Sequence, residues 1–108
     1  MRGDIVTIAD RGGEFTGKPR PAIVLQSDLF ADSPTVAVLP ITSQPTDAPL
    51  LRVPLGSNEG TGLAVPSWAQ IELLTTVRRR RVGGRIGGAD DATMLAINRA
   101  LAVYLGLA

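Results

Sequence analysis

Along this chain the apolar residues fall into short strand-like runs over roughly three quarters of its length, then change to helical spacing near the end. Gly3 to Ala9 has the β-branched pattern of a first strand, and Asp10-Arg11-Gly12-Gly13 breaks it, so residues 10–18 read as a loop. Arg20 to Ser27 is apolar enough to predict a central strand covered on both faces. Asp28 to Pro34 reads as a turn, Thr35 to Thr42 as a third strand, and Pro45 to Pro49 as a loop with two prolines. In Leu50 to Leu55, Leu51, Val53 and Leu55 alternate with Arg52 and Pro54. Pro54 lacks a ladder donor, which predicts an edge strand. Gly56 to Gly62 reads as a flexible connection, Leu63 to Val77 as a fifth strand region broken near Pro66, and Arg80 to Ile86 as a short last strand.

The period then changes. Met94, Ile97, Leu101, Tyr104 and Leu105 recur at helical spacing, and Asp90 and Asp91 suit a helix N-terminus, predicting a helix from about Asp91 to Leu105. Its other face carries Ala96, Ala100 and Val103, with Asn98 and Arg99 as the strongly polar residues of its middle. Such a face is buried either in the chain's own core or against a second subunit. Many short strands followed by one helix make a mainly β fold, a small antiparallel barrel or curled sheet with a packed C-terminal helix.

The 108 residues suffice for a single domain, 1–108, with one modest core. With 44% hydrophobic and 19% charged residues the chain is a folding one rather than a disordered one, and at 4% aromatic its interior is filled by Val, Leu, Ile and Ala. Cysteine is absent, which removes disulfides and thiolate chemistry and suits a reducing cytoplasm. Histidine is absent too, which removes the usual proton shuttle near neutrality and the commonest metal ligand. No basic segment followed by an apolar run opens the chain, and no apolar stretch reaches the roughly 18 residues of a membrane span. The expectation is a soluble cytoplasmic protein without a membrane partner.

Net charge is only +1, but its distribution is uneven. Between Thr75 and Gly88 there are five arginines, Arg78, Arg79, Arg80, Arg81 and Arg85, and no acid. That ridge suits an anionic partner, or equally a solvated turn that keeps a sheet edge from aggregating. Elsewhere, Gly17-Lys18-Pro19-Arg20-Pro21 runs straight into the apolar Ala22-Ile23-Val24-Leu25. The two prolines restrict the segment and fix a guanidinium at the mouth of a buried strand. The strand Val36 to Ile41 ends in Thr42-Ser43-Gln44, which puts a hydroxyl and an amide at a second strand end. Together the two termini predict one polar, anion-binding site on a β scaffold.

Those residues also carry a resemblance. Arg2-Gly3-Asp4-Ile5-Val6, a Gly-rich loop, G-x-x-R-P before an apolar strand, P-I-T-S, and W-A-Q-I near the last strands occur in the order found in MazF/PemK (Kid) toxins of type II toxin–antitoxin systems. The resemblance spans nearly the whole chain. It implies an SH3-like barrel of the CcdB/PemK type, a homodimer, and a cognate antitoxin whose disordered tail folds over the binding groove. It also implies a metal-independent, sequence-specific endoribonuclease that cuts single-stranded RNA, with the ribose 2′-hydroxyl as nucleophile and no cofactor.

Such a reaction needs a base for the 2′-proton, an acid for the 5′-leaving oxygen, and donors for the phosphorane charge. Matched to the family's motifs, Arg20 and Thr42 are the catalytic candidates. Arg20 has a donor fork that fits two phosphate oxygens, and Thr42 has a hydroxyl that fits a third. Some relatives assign proton transfer to this arginine as well. A guanidinium holds its proton far above neutrality, which favours the electrostatic role. Some relatives also have an Arg and an Asp in the stretch aligned with Val65 to Gln70, where this chain has Ser67 and Ala69. A two-residue Arg20/Thr42 centre is the reading that survives, and the general base stays unassigned. Ser43, Gln44, Ser67 and Gln70 are substrate-binding candidates, and Arg11, Lys18 and Arg52 can track phosphates. Trp68, the single tryptophan, is either a base-stacking platform or a core filler. Two other functions compete: a CcdB-like gyrase poison, whose aromatic-Gly-Ile tail is replaced here by Leu105-Gly106-Leu107-Ala108, and an RNA-binding module without turnover.

Overall fold

Strand β3, Thr35–Thr42, organises the molecule, because it is paired along both edges. The computed structural model describes residues 1–9 and 19–108 and orders the elements as β1 (Asp4–Ile8), β2 (Arg20–Val24), β3, β4 (Arg52–Leu55), β5 (Ser67–Gln70), β6 (Thr75–Arg78), β7 (Val82–Gly88) and α1 (Asp91–Tyr104). Short 3₁₀ turns lie at Asp28–Phe30, Ile71–Leu73 and Arg79–Arg81. On one edge β3 pairs antiparallel with β2. On the other it pairs with β6 through Thr35 to Val38 and with β5 through Ile41 and Thr42. The hydrogen-bonded path runs β4-β5-β3-β2-β1-β7 with antiparallel pairing throughout, and among the described residues no pairing joins β4 to β7. The result is a seven-stranded antiparallel sheet with its helix on one face.

Successive strand residues face opposite sides, and here both sides are buried. Ile5, Ile23, Leu39, Ile41, Val53, Leu55, Ala69 and Ile71 form one cluster with Ile97 of α1, while Val6, Ala22, Val24, Val36, Val38 and Val77 form a second on the other face. This is why β2 and β3 are apolar at consecutive positions, as expected for a central strand. β4 is the edge strand that Pro54 predicts. The region expected as one fifth strand divides into β5 and β6, because the 3₁₀ turn at Ile71–Leu73 buries Ile71 in the first cluster and redirects the chain. The last strand begins at Val82 rather than Arg80, since Arg79–Arg81 form a turn.

The Gly56–Gly62 connection is pinned rather than loose. The Thr61 N–H donates to Asn58 Oδ1 at 3.0 Å, the Gly62 N–H to the Asn58 carbonyl at 2.9 Å, and the Gly88 N–H of β7 to the Gly60 carbonyl at 2.8 Å. Helix α1 starts where expected: Asp90 Oδ1 accepts from the Thr93 N–H at 2.8 Å, closing one free donor of the first turn. Ile97 is fully buried with Met94, Ala100 and Leu101 beside it, but Tyr104 and Leu105 are 47% and 51% exposed. The helix packs on edge strand β4 and on the Ile71–Leu73 turn. No helix of the described residues is long and apolar enough to cross a membrane.

Candidate active site

The Ala22–Pro40 pairing of β2 and β3, continued by two residues along each strand, sets Arg20 opposite Thr42. Both then share one sheet face, because each lies two positions from its paired neighbour. Arg20 is exposed at the start of β2, where Pro19 and Pro21 hold the backbone extended. Thr42 is half-buried at the end of β3. Both line an open cavity of about 500 Å³, together with Pro21, Ser43, Gln44 and Val65. Two strand ends that are separate in sequence therefore supply one wall. Arg20 brings a donor fork with positive charge.

Thr42 Oγ1 accepts from the Gln44 N–H at 3.1 Å. This contact orients the hydroxyl and ties down the chain as it leaves β3. Because the oxygen is the acceptor in that bond, its own O–H remains free to donate into the cavity. Ser43 and Gln44 are exposed on the rim, where a bound strand would reach them. Ser67 also lines the cavity, but it is only 4% exposed and its hydroxyl donates to the Val65 carbonyl at 2.9 Å. It shapes the wall and has no proton left to give.

The two remaining β5 candidates stand apart from this cavity. Trp68 is the register partner of Thr42 on one side and Pro54 on the other. It belongs to neither core cluster and is half-buried, so it is not a core filler. Gln70 lies two residues further on, opposite Arg52, and does not line the Arg20 cavity. Arg11 and Lys18 lie outside the described residues.

Arg52, expected from its edge position to track phosphates, is instead held by an acid and a backbone carbonyl. Its guanidinium pairs with both Glu72 oxygens, and Nη1 also donates to the Leu51 carbonyl at 3.1 Å. Burial alone would raise the Glu72 carboxyl, but the hydrogen bonds and charge of Arg52 outweigh it and hold the group below its ordinary value. The arginine ridge is partly structural. Arg79 Nε donates to the Ser33 carbonyl at 2.7 Å, Arg81 donates to the Ala9 carbonyl through Nε at 3.0 Å and Nη2 at 2.9 Å, and Arg85 pairs with Asp4 at 2.9 Å. Arg78 and Arg80 stay exposed and line a separate cavity beside Pro34.

Comparison with known proteins places this geometry in context. The family described as "PemK-like, MazF-like toxin of type II toxin-antitoxin system" matches residues 1–105. A relative from Mycolicibacterium smegmatis, "Probable endoribonuclease MazF", is 44% identical over 107 residues, which cover 99% of this chain and 97% of the relative. Among solved structures, Mycobacterium tuberculosis toxin MazF-mt6 superposes with a TM-score of 0.79 at 22% identity, covering 97% of each chain. An endoribonuclease in complex with its cognate antitoxin, from a mycobacterial species, superposes with a TM-score of 0.80 at 21% identity, covering 100% of this chain and 96% of that one. These likenesses establish the fold.

Proposed function

Because the chain belongs to the PemK-like, MazF-like toxins of type II toxin–antitoxin systems, we propose that its endoribonuclease centre is the Arg20/Thr42 cavity. The chain is a MazF-like endoribonuclease toxin. The observation that carries the site assignment is the convergence of a guanidinium and an oriented hydroxyl from two adjacent strand ends on one open cavity. The substrate is single-stranded RNA, cut at preferred sequences inside the cytoplasm.

One RNA phosphodiester lies between Arg20 and Thr42. The ribose 2′-oxygen attacks phosphorus while its proton passes to a base. The bond from phosphorus to the 5′-oxygen then breaks, and that oxygen takes up a proton. The products are a 2′,3′-cyclic phosphate and a 5′-hydroxyl. Negative charge grows on the non-bridging oxygens, where the Arg20 fork and the Thr42 O–H act most strongly in the transition state. No metal is required, since Arg20 supplies the cationic charge. Ser43 and Gln44 position the strand at the rim, and Arg11 and Lys18 extend the phosphate track.

Residues 1–108 act as a single toxin domain. The exposed apolar side chains Val103, Tyr104 and Leu105 at the end of α1 support a homodimer. A cognate antitoxin is the natural partner, as relatives from a mycobacterial species and from Deinococcus radiodurans have been solved with theirs.

The test uses purified protein, a long single-stranded RNA and EDTA. Wild type should yield discrete fragments ending in cyclic phosphate. Arg20→Ala and Thr42→Val should each lower the single-turnover rate by about 10²-fold or more, while Thr42→Ser keeps most of it. Equal cutting by wild type and Arg20→Ala would overturn the site assignment.

A further inference from the structure

Thr42 divides two cavities. On one side lies the Arg20 cavity. On the other, beyond its register partner Trp68, lies a second open cavity of about 390 Å³, lined by Thr46, Asp47, Pro49, Arg52, Pro54 and Trp68. Paired residues on neighbouring strands have Cα atoms about 5 Å apart, so the tryptophan side chain begins one strand away from the proposed phosphate position. The same β3–β4 connection serves both cavities, with Ser43 and Gln44 on the first and Thr46 to Pro49 on the second. A nucleotide whose phosphate sits at Thr42 has its base within reach of Trp68.

We propose that this second cavity is a nucleobase pocket, which takes the base of one of the two nucleotides flanking the cut and gives the enzyme part of its sequence preference. The inference rests on the Arg20/Thr42 reading for its register, and it follows from the chemistry of the walls. Trp68 is half-buried beside Pro54 and lines this cavity, so part of the side chain is held by the protein and part stays accessible. Base stacking on an aromatic platform is sequence-tolerant and supplies affinity. Discrimination comes from the polar rim. The exposed Asp47 carboxylate accepts from an exocyclic amino group or ring N–H, and the Thr46 hydroxyl donates or accepts.

Arg52 is a fixed wall rather than a free phosphate ligand, because Glu72 and the Leu51 carbonyl hold its guanidinium. Its Nε is buried, so the guanidinium contributes to the wall of the cavity and not to ligand binding. An acidic residue on the rim repels a phosphate, and equally an acidic peptide side chain. A neutral base edge bearing N–H groups is the ligand class that this combination of acid, hydroxyl and indole suits.

Trp68 is the only tryptophan, so emission excited selectively at the indole, where Tyr104 does not absorb, reports on this cavity. The probe is a 2′-deoxy version of a short oligonucleotide whose RNA form the protein cuts at one mapped site, which binds without being cleaved. Two further versions carry an abasic residue on either side of the cut. The intact oligonucleotide should quench Trp68 saturably. One abasic version should lose the quench and bind about 5- to 150-fold more weakly, and the other should keep it. Trp68→Ala should raise KM over a similar range, change kcat by only a few-fold and relax preference at that one position, whereas Trp68→Phe retains the preference. Urea unfolding of each variant separates a local loss from a failure to fold.

Quenching that ignores both abasic positions, quenching by antitoxin but not by oligonucleotide, or unchanged site preference in Trp68→Ala would each overturn the pocket. If base-dependent quenching persists while Arg20→Ala cuts like wild type, the pocket stands and the catalytic assignment falls. Arg20-dependent cutting without quenching gives the reverse result.

Discussion

Gly84 and Gly87 lie three positions apart on β7 and face opposite demands. A Cβ at Gly87 would stand 2.1 Å from the Thr61 carbonyl oxygen and 2.7 Å from that of Gly60, while one at Gly84 would meet nothing within 4 Å. Gly62 answers from the other side: it has φ +70, and a Cβ there would lie 1.9 Å from the Ile86 carbonyl oxygen. These glycines let the Asn58–Gly62 turn lie directly on β7, and the residues that follow, Leu63 to Val65, form a wall of the Arg20 cavity. Gly87→Ala should therefore cost about 1–3 kcal/mol or more, since the obstacle is backbone that cannot rotate away. It should also slow RNA cleavage by displacing that wall. Gly84→Ala should be neutral or gain up to about 1 kcal/mol, because alanine restricts the unfolded chain without a clash. Urea midpoints of the two variants decide it, and equal losses would mean that the turn does not need this close approach. At this scale much of the candidate site was legible: Arg20 and Thr42 stood out as polar groups at the ends of apolar strands, and the fold brings both to one cavity. Trp68 was not, because a single aromatic gives no period from which to tell a core position from an exposed one.

Among the elements, α1 shows most clearly how a helix is held by few contacts. Ile97 is its one fully buried residue and sits in the same cluster as Ile5, Ile23 and Leu39, whereas Leu95 is 49% exposed. Ile97→Ala removes apolar volume from the centre of that cluster and should cost about 2–5 kcal/mol, while Leu95→Ala should stay within about 0.5 kcal/mol. Calorimetric or urea unfolding distinguishes these outcomes, and similar losses at both positions would show that the helix is buried more evenly. The helix was legible in advance from its changed period and its Asp90 cap, and β3 from a long apolar run. The division of the fifth strand region was not. Ile71 continues the apolar pattern of β5 yet lies in a 3₁₀ turn, and only its burial between the sheet and α1 explains the change. The pairing of β6 with the start of β3 was equally hidden, because register between strands some 40 residues apart leaves no local trace.

For the molecule as a whole, acidic pH should test how the sheet is fastened at its margins. Near β4, Glu72 grips Arg52, and at the start of β1 Asp4 holds Arg85 at 2.9 Å and the N-terminal ammonium at 3.0 Å. Burial opposes the charged form of Asp4, but the hydrogen bonds from Arg85 and the N-terminus outweigh it, so its carboxyl, like that of Glu72, titrates below its ordinary value. A carboxyl whose folded value is depressed binds protons less readily than the unfolded chain does. The stability it adds is complete above the unfolded values of 3.8 and 4.5 and is lost as pH falls through the folded ones. With neither histidine nor cysteine, the side chains supply no ordinary titration between the carboxylates and the high-pH groups. The urea midpoint should therefore stay level from about pH 6 to 8 and decline below about pH 4. Glu72→Gln should be less stable than wild type at pH 7, because Arg52 keeps its charge without a counterion in a site only 15% exposed. As pH falls the two proteins should converge, since wild-type Glu72 then also loses its charge. If the gap between them stays constant from pH 7 to pH 3, the Arg52–Glu72 pair contributes no pH-dependent stability, and the edge at β4 is held by packing alone.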